Sequence, residues 1–214
     1  MTDGPLHFSA SFELVVVRHG RTAWNDAGRF QGHSDVALDE TGRAQAQALA
    51  VYLSPVPFAR AVSSDLGRAR ETARIVLGER DLPLEIDPRW REMDFGAWEG
   101  LTWPQIVERY PELAQRPSNV PRFYTPQGGE SFDQVCARVR AAIGALAAGA
   151  ATGDTLLVVT HAGPLHALLR VLLGESEAAA LGVRFLPATL TRFALGPDGA
   201  RLLELNRSVT ENVA

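Results

Sequence analysis

At 214 residues, 46% of them hydrophobic and 21% charged, the chain is long and apolar enough for one domain with a sizeable core, which excludes a largely disordered protein. Its 21 Lys and Arg against 25 Asp and Glu give a formal charge of −4, so no broad field draws nucleic acid or an anionic membrane, and any cationic site must be local. The single Cys136 allows no internal disulfide and reads as a core thiol in a reducing compartment; no stretch has membrane-span length and Met1 to Phe12 lacks a secretory pattern, so a cytoplasmic location is expected.

In chain order, the apolar run over residues 13 to 18 predicts a fully buried strand that breaks into Arg18-His19-Gly20. Residues Leu38 to Leu53 read as a helix, with Asp39 as N-cap and Ala44, Ala48, Val51 and Tyr52 on one face. Ala61 to Ser63 predicts a short strand feeding a helix from Asp65 to Leu77, where Leu66, Ala69, Ala73 and Val76 keep helical spacing. Leu84 to Asp87 reads as a third strand. Thr102 to Gln105 and Ser131 to Gln134 both have the capping-box pattern, in which a hydroxyl and an amide exchange bonds with the first-turn backbone, so each opens a helix. The second runs to about Ala147, with Phe132, Val135, Val139, Ile143 and Leu146 repeating at three and four residues. Residues 155 to 160 form the next strand, breaking into His161-Ala162-Gly163, and 164 to 173 the next helix, with Pro164 in its first turn. Leu190 to Leu195 and Arg201 to Leu205, joined by Gly196-Pro197-Asp198-Gly199, predict a closing hairpin. The proline-spaced stretch 116 to 127 is the most loop-like and reads as a lid. Strands alternating with helices predict a single α/β domain: a three-layer α/β/α sandwich around a mostly parallel sheet with an antiparallel edge strand.

Two buried strands thus each deliver a histidine at the carboxyl end, where open α/β sheets place their ligands. Cleaving a phosphate monoester needs positive charge on the non-bridging oxygens, an in-line nucleophile and a proton for the leaving oxygen. Neutral imidazole is a competent nucleophile at phosphorus, and arginines flanking His19 favour its neutral form. Arginine forks match phosphate oxygens, and Arg18 qualifies by adjacency. A second comes from Ser63 to Ala73, where Arg68 and Arg70 both sit in the first turns of a helix whose amino end favours anions.

The run Arg18-His19-Gly20-Arg21-Thr22-Ala23-Trp24-Asn25, continued by Gly28-Arg29-Phe30-Gln31-Gly32, resembles the signature of the histidine phosphatase superfamily, phosphoglycerate mutase-like branch. The likeness extends in order through Leu38 to Gln45, Ser64 to Ala73, Leu82 to Gly100, Gly128 to Ser131 and Val158 to Gly163, about residues 13 to 170. It implies that His19 becomes a phosphohistidine while Arg18, Arg68 and His161 hold the phosphoryl oxygens, Arg68 rather than Arg70 being the residue followed by Ala, two variable positions and Thr-Ala. Asn25 and Gln31 match positions that hydrogen-bond phosphate, and Gly20, Arg21, Thr22 and Ala162 complete the expected substrate-binding set. Glu92 matches the proton donor, and a carboxyl facing a phosphate dianion favours its protonated form. The resemblance implies a phosphomonoester hydrolase acting on small organic phosphates, with neither metal nor organic cofactor. Its alternatives are a cofactor-dependent phosphoglycerate mutase and a non-catalytic phosphate-binding module, and a homodimer is left open.

His7, His33 and His166 read as non-catalytic, His166 because its spacing from His161 misses the four-residue interval of a zinc helix. Trp24, Trp90, Trp98 and Trp103 pack the core or line the pocket mouth. Two features depart from the family pattern. Arg21 stands where relatives often have Glu or Gln: turned inward it favours a substrate with a further carboxylate or phosphate, turned outward it has no bearing. Only residues 93 to 127 separate Glu92 from Gly128, shorter than the mutases' insertion, and the lesser cover favours hydrolysis.

Overall fold

The computed structural model describes residues 6–114 and 125–209. Its strands β1 (Phe12–Arg18), β2 (Phe58–Ser63), β3 (Leu84–Ile86), β4 (Thr155–Thr160), β5 (Thr189–Gly196) and β6 (Gly199–Ser208) form one sheet in the order β3-β2-β4-β1-β5-β6. The pairs β3-β2, β2-β4 and β4-β1 are parallel, whereas β5 runs antiparallel to β1 and to β6. The antiparallel strand is therefore β5, one in from the edge, and the expected hairpin returns along it as β6.

Alternation along the central strands builds the three layers. Leu14 and Val16 of β1, with Leu156 and Val158 of β4, meet helices α5 (Phe132–Ala147) and α6 (Ala162–Leu173). Val15, Val17, Leu157 and Val159 point the other way, into α2 (Glu40–Tyr52) and α3 (Gly67–Leu77). Each such buried side chain contributes about 1.5–3 kcal/mol over exposure, against about 0–1 for an exposed ion pair. The strand alternation, not surface charge, decides the fold.

The inward face of α2 differs from the expected one. Gly42, Ala46 and Leu49 are buried, while Val51 is 68% and Tyr52 40% exposed. Two stripes of this helix have i, i+4 spacing, and the choice between them is steric: a Cβ at Gly42 would lie 2.0 Å from the Arg21 carbonyl oxygen, so only this face lets α2 approach the end of β1. Short elements also appear, α1 (Ala23–Asp26), α4 (Trp103–Arg109) and α7 (Glu175–Ala180). A separate aromatic cluster joins α4 to the body, with Trp98 and Trp103 6.3 Å and Phe30 and Phe95 5.1 Å apart. Of the expected lid, residues 116 to 124 lie outside the described residues. Among the described residues, no helix is long and apolar enough to cross a membrane.

Register carries the fold into the site. Arg18 pairs with Thr160, so His19 and His161 leave β1 and β4 side by side, and Ser63 pairs with Val159, so Ser64 leaves β2 next to them.

Candidate active site

The two imidazoles lie with ring centroids 5.0 Å apart, both buried. His19 is oriented by its own neighbour: Nδ1 lies 2.7 Å from the Gly20 carbonyl oxygen, which can only accept. The ring proton therefore sits on Nδ1 and leaves Nε2 with a lone pair. Burial first, then the Arg68 and Arg18 guanidiniums, hold the His19 pKa well below 6.5, so the ring is neutral at physiological pH. Its turn is tightly built. A Cβ at Gly20 would stand 2.3 Å from the Gly42 carbonyl oxygen, and the Gly20 N–H donates to the Thr72 hydroxyl, which donates to the Arg68 carbonyl.

Arg68 is 0% exposed yet carries a charge. Its Nη1 and Nη2 donate to the carbonyls of Ser34 and Gly32, both at 2.7 Å, and Nε donates to His161 Nδ1 at 3.3 Å. One N–H on each Nη remains after these bonds. Because His161 Nδ1 accepts, Nε2 carries the proton toward the Ser64 hydroxyl, 2.9 Å away. Burial, with Arg68 the leading charge, also holds His161 well below 6.5. Arg18 donates through Nη1 to the Phe185 carbonyl. Burial lowers its pKa to about 10, still charged at neutral pH.

Glu92 is nine-tenths buried, and its Oε1 accepts from the backbone N–H of Met93 and of Gly163, both at 2.8 Å. Among the described residues no hydrogen bond engages Oε2. A Cβ at Gly163 would stand 2.3 Å from that Oε1 and would displace the carboxylate. The backbone behind Glu92 is held by Arg138 of α5, which donates to the carbonyls of Arg89, Arg91 and Glu92 and pairs with Glu130. Glu99 builds the other wall: its carboxylate accepts from the N–H groups of His33 and Ser34 and so folds the turn whose carbonyls hold Arg68. Sequence reasoning missed Arg138, Glu130, Glu99, Ser64 and Thr72.

The remaining expected residues divide. Thr22 and Asn25 form a capping box for α1, with Asn25 Oδ1 accepting from the Thr22 N–H and hydroxyl. Gln31 is buried, and its Oε1 together with Arg18 Nε are the buried side-chain polar atoms without a partner among the described residues. Arg18 Nε–H is a donor that an anion's oxygen would satisfy, whereas Gln31 Oε1 can only accept and does not by itself point to an anion. Ala162 opens α6. Arg21 does not join this cluster's bonds: Nε donates to Asp39, Nη1 to Asp26 and Nη2 to Thr41, so it fastens the start of α2, the outward case. His33 bridges the Glu92 carbonyl and Asp94, His7 meets the Pro197 carbonyl, and His166 packs on Phe185. Among the described residues no group of three or more His, Cys, Asp or Glu is placed to hold a metal ion.

A family model, the histidine phosphatase superfamily (branch 1), matches residues 14–208. The chain belongs to this superfamily. Within it, the bifunctional protein Rv2228c of Mycobacterium tuberculosis is 37% identical over 193 residues, 90% of this chain and 52% of that protein. The chain thus spans about half the length of such curated relatives. The adenosylcobalamin/alpha-ribazole phosphatase of Salmonella typhimurium is 38% identical over 166 residues, covering 78% of this chain and 82% of the relative. Among solved structures, mycobacterial glucosyl-3-phosphoglycerate phosphatase in complex with VO3 superposes with a TM-score of 0.80 and 33% identity, covering 92% of this chain and 99% of that one.

Two expectations follow from this histidine phosphatase site. Both buried rings bind fewer protons folded than unfolded, so their contribution is complete above the unfolded histidine value of 6.5 and is lost as pH falls below it. Each ring costs about 1.4 kcal/mol per pH unit in that window. Tm measured against pH should fall steeply from about pH 6.5 downward, whereas a flat profile over the next unit contradicts neutral burial. Asp65, held low by its bond from Arg91, enters only below its ordinary 3.8. Second, Arg138→Met strips donors from three carbonyls behind Glu92. Each unsatisfied group costs about 1–3 kcal/mol, and kcat should drop about tenfold as Glu92 loses its footing. Thermal melts and kcat check this; activity within twofold of the parent overturns it.

Proposed function

We propose that the protein is a metal-independent phosphomonoesterase acting on small organic phosphates through a phosphohistidine on His19. The observation that carries this reading is the Nδ1–H bond from His19 to the Gly20 carbonyl, which leaves a neutral ring with Nε2 as lone-pair donor in the field of the Arg68 and Arg18 guanidiniums. The relatives named as phosphatases support it.

In the reading, the phosphate sits against the remaining N–H groups of Arg68 and Arg18, including the orphaned Arg18 Nε–H. Asn25 has its Oδ1 committed to the α1 cap, so Nδ2 is the amide atom it would offer to the ligand. His161 fixes Arg68 from beside it and stays neutral, adding no repulsion to the attack. The lone pair of His19 Nε2 forms the N–P bond as the ester P–O bond breaks, and the Glu92 carboxyl gives its proton to the departing oxygen. The carboxylate then takes a proton from water, the water oxygen bonds phosphorus, and the N–P pair returns to Nε2. Glu92 is suited to both steps because two backbone donors fix Oε1. The charge that develops on the phosphoryl oxygens meets preorganised guanidiniums, so no metal is needed.

A panel of phosphomonoesters assayed in excess EDTA tests the reading: inorganic phosphate should be released at a rate EDTA does not change. Saturable binding without turnover across the panel overturns it in favour of a binding module. Exchange between 3- and 2-phosphoglycerate, primed by 2,3-bisphosphoglycerate with little net phosphate release, overturns it in favour of a mutase.

A further inference from the structure

The segment between α7 and β5 reaches back over the end of β1 and touches both residues that start the chemistry. The Phe185 carbonyl accepts from Arg18 Nη1 at 2.5 Å, and the Ala188 N–H donates to the His19 carbonyl at 3.0 Å. The hydrogen bonds of this segment to Arg18 and His19 are made by its backbone, while the Arg184 guanidinium acts on Arg18 through charge alone.

What holds the Phe185–Leu186 peptide itself is the Asn206 side chain on the last strand, beside a Thr189 hydroxyl that lies 2.8 Å from the Leu186 carbonyl oxygen and 2.7 Å from Asn206 Oδ1. Asn206 Oδ1 accepts from the Leu186 N–H at 3.1 Å, and its Nδ2 donates to the Arg184 carbonyl at 2.9 Å. The two bonds bracket Phe185 and settle which end of the amide is oxygen. The Leu186 N–H and the Phe185 C=O are the two ends of a single trans peptide, which is planar with these groups pointing oppositely. Holding the N–H on Asn206 therefore aims the carbonyl at Arg18.

The sheet is locally distorted to permit this. Leu190 pairs with Arg207 but Arg192 pairs with Glu204, so Leu205 and Asn206 oppose a single β5 residue in a bulge. Bulges of this kind re-aim a side chain. The non-glycine residues with positive φ among those described are Ala188 at 52° and Asn206 at 51°, one in the segment and one holding it. Left-handed backbone at such residues persists only where the surroundings over-determine it, and it gathers at sites where position matters.

We propose that Asn206 is a positioning residue for phosphoryl transfer: through the Phe185–Leu186 peptide it orients Arg18, and through the same segment it steadies His19. The inference rests on the phosphohistidine reading above. Asn206→Gly keeps the left-handed backbone and removes the amide, whereas Asn206→Asp keeps an acceptor for the Leu186 N–H. With p-nitrophenyl phosphate as substrate, Asn206→Gly should lower kcat at least about tenfold, with KM changed less than about twofold, because a displacement of about 1 Å near the chemistry costs up to about 10²-fold. Inhibition by orthovanadate should weaken in parallel, and Asn206→Asp should restore most of kcat.

The deciding comparison is a double-mutant cycle with Arg18→Ala, in which Asn206→Gly should lower the residual kcat less than about threefold, because its principal target is already gone and only its hold on the His19 backbone remains. Asn206→Ser takes its place, with the same expected factors, should the glycine variant not fold. An equal factor in both backgrounds, or kcat within about twofold of the parent in a folded variant, overturns the proposal. Failure of the underlying reading looks different, since it requires His19→Ala to retain activity.

Discussion

His19→Ala should lower kcat by at least about 10⁴-fold while leaving inorganic phosphate able to bind. The asymmetry between the two effects is the point. Arg68 keeps its bonds to the carbonyls of Gly32 and Ser34, and Arg18 its bond to Phe185, so the cationic cage outlasts the loss of the ring. What disappears is the atom that makes the bond to phosphorus. The folded protein should not suffer greatly, because the ring is buried next to two guanidiniums and its proton-bound form is excluded at a cost that grows with acidity. The variant should accordingly show a shallower fall of Tm below about pH 6.5 than the parent. Steady-state kinetics, phosphate titration by calorimetry and melts over pH check the three parts. Full activity in His19→Ala removes the mechanism outright.

Glu92→Gln should separate the two halves of the cycle. Glutamine retains an oxygen for the Met93 and Gly163 N–H groups, so the side chain stays in place, but it can neither donate an acidic proton nor accept one from water. General acid–base assistance contributes about 10²–10⁴-fold, and its weight depends on how badly the leaving oxygen needs a proton. An alkyl phosphate should therefore lose about 10³-fold, near the middle of that range, and p-nitrophenyl phosphate much less in its first step. With the activated ester the slow step becomes hydrolysis, so a burst of nitrophenol matching the enzyme concentration should precede a slow steady rate. Losses equal for both esters, with no burst, contradict the assignment of Glu92.

The sequence was legible where a pattern is local and unreadable where a side chain reaches across the fold. The apolar runs of β1 and β4 have no other home than a sheet buried on both faces, and the histidines at their ends follow from strand direction alone. Glu92 carried no periodicity; only its resemblance to a known motif singled it out. Arg138 looked like a charge on a helix surface, yet its partners lie 46 to 49 residues away on the backbone around Glu92. Arg21 presented the reverse problem, a charge beside the motif that folds outward onto the cap of α2. The two candidate stripes of α2 were equal in hydrophobic spacing, and only the close passage of the turn after β1, at Gly20 and Arg21, over Gly42 chooses between them. Asn206 gave no local signal, because its importance depends on a bulge set by pairing between β5 and β6.

The central claim concerns a bond from phosphorus to nitrogen, and trapping that bond tests it most directly. Rapid quench of the enzyme with a labelled phosphomonoester should yield one covalent phosphoryl group per active site, labile to acid and stable to alkali, located on His19 by peptide mass spectrometry. A label stable to acid, a label on a carboxylate or hydroxyl side chain, or turnover that proceeds with no covalent phosphoryl group at any quench time would contradict the account.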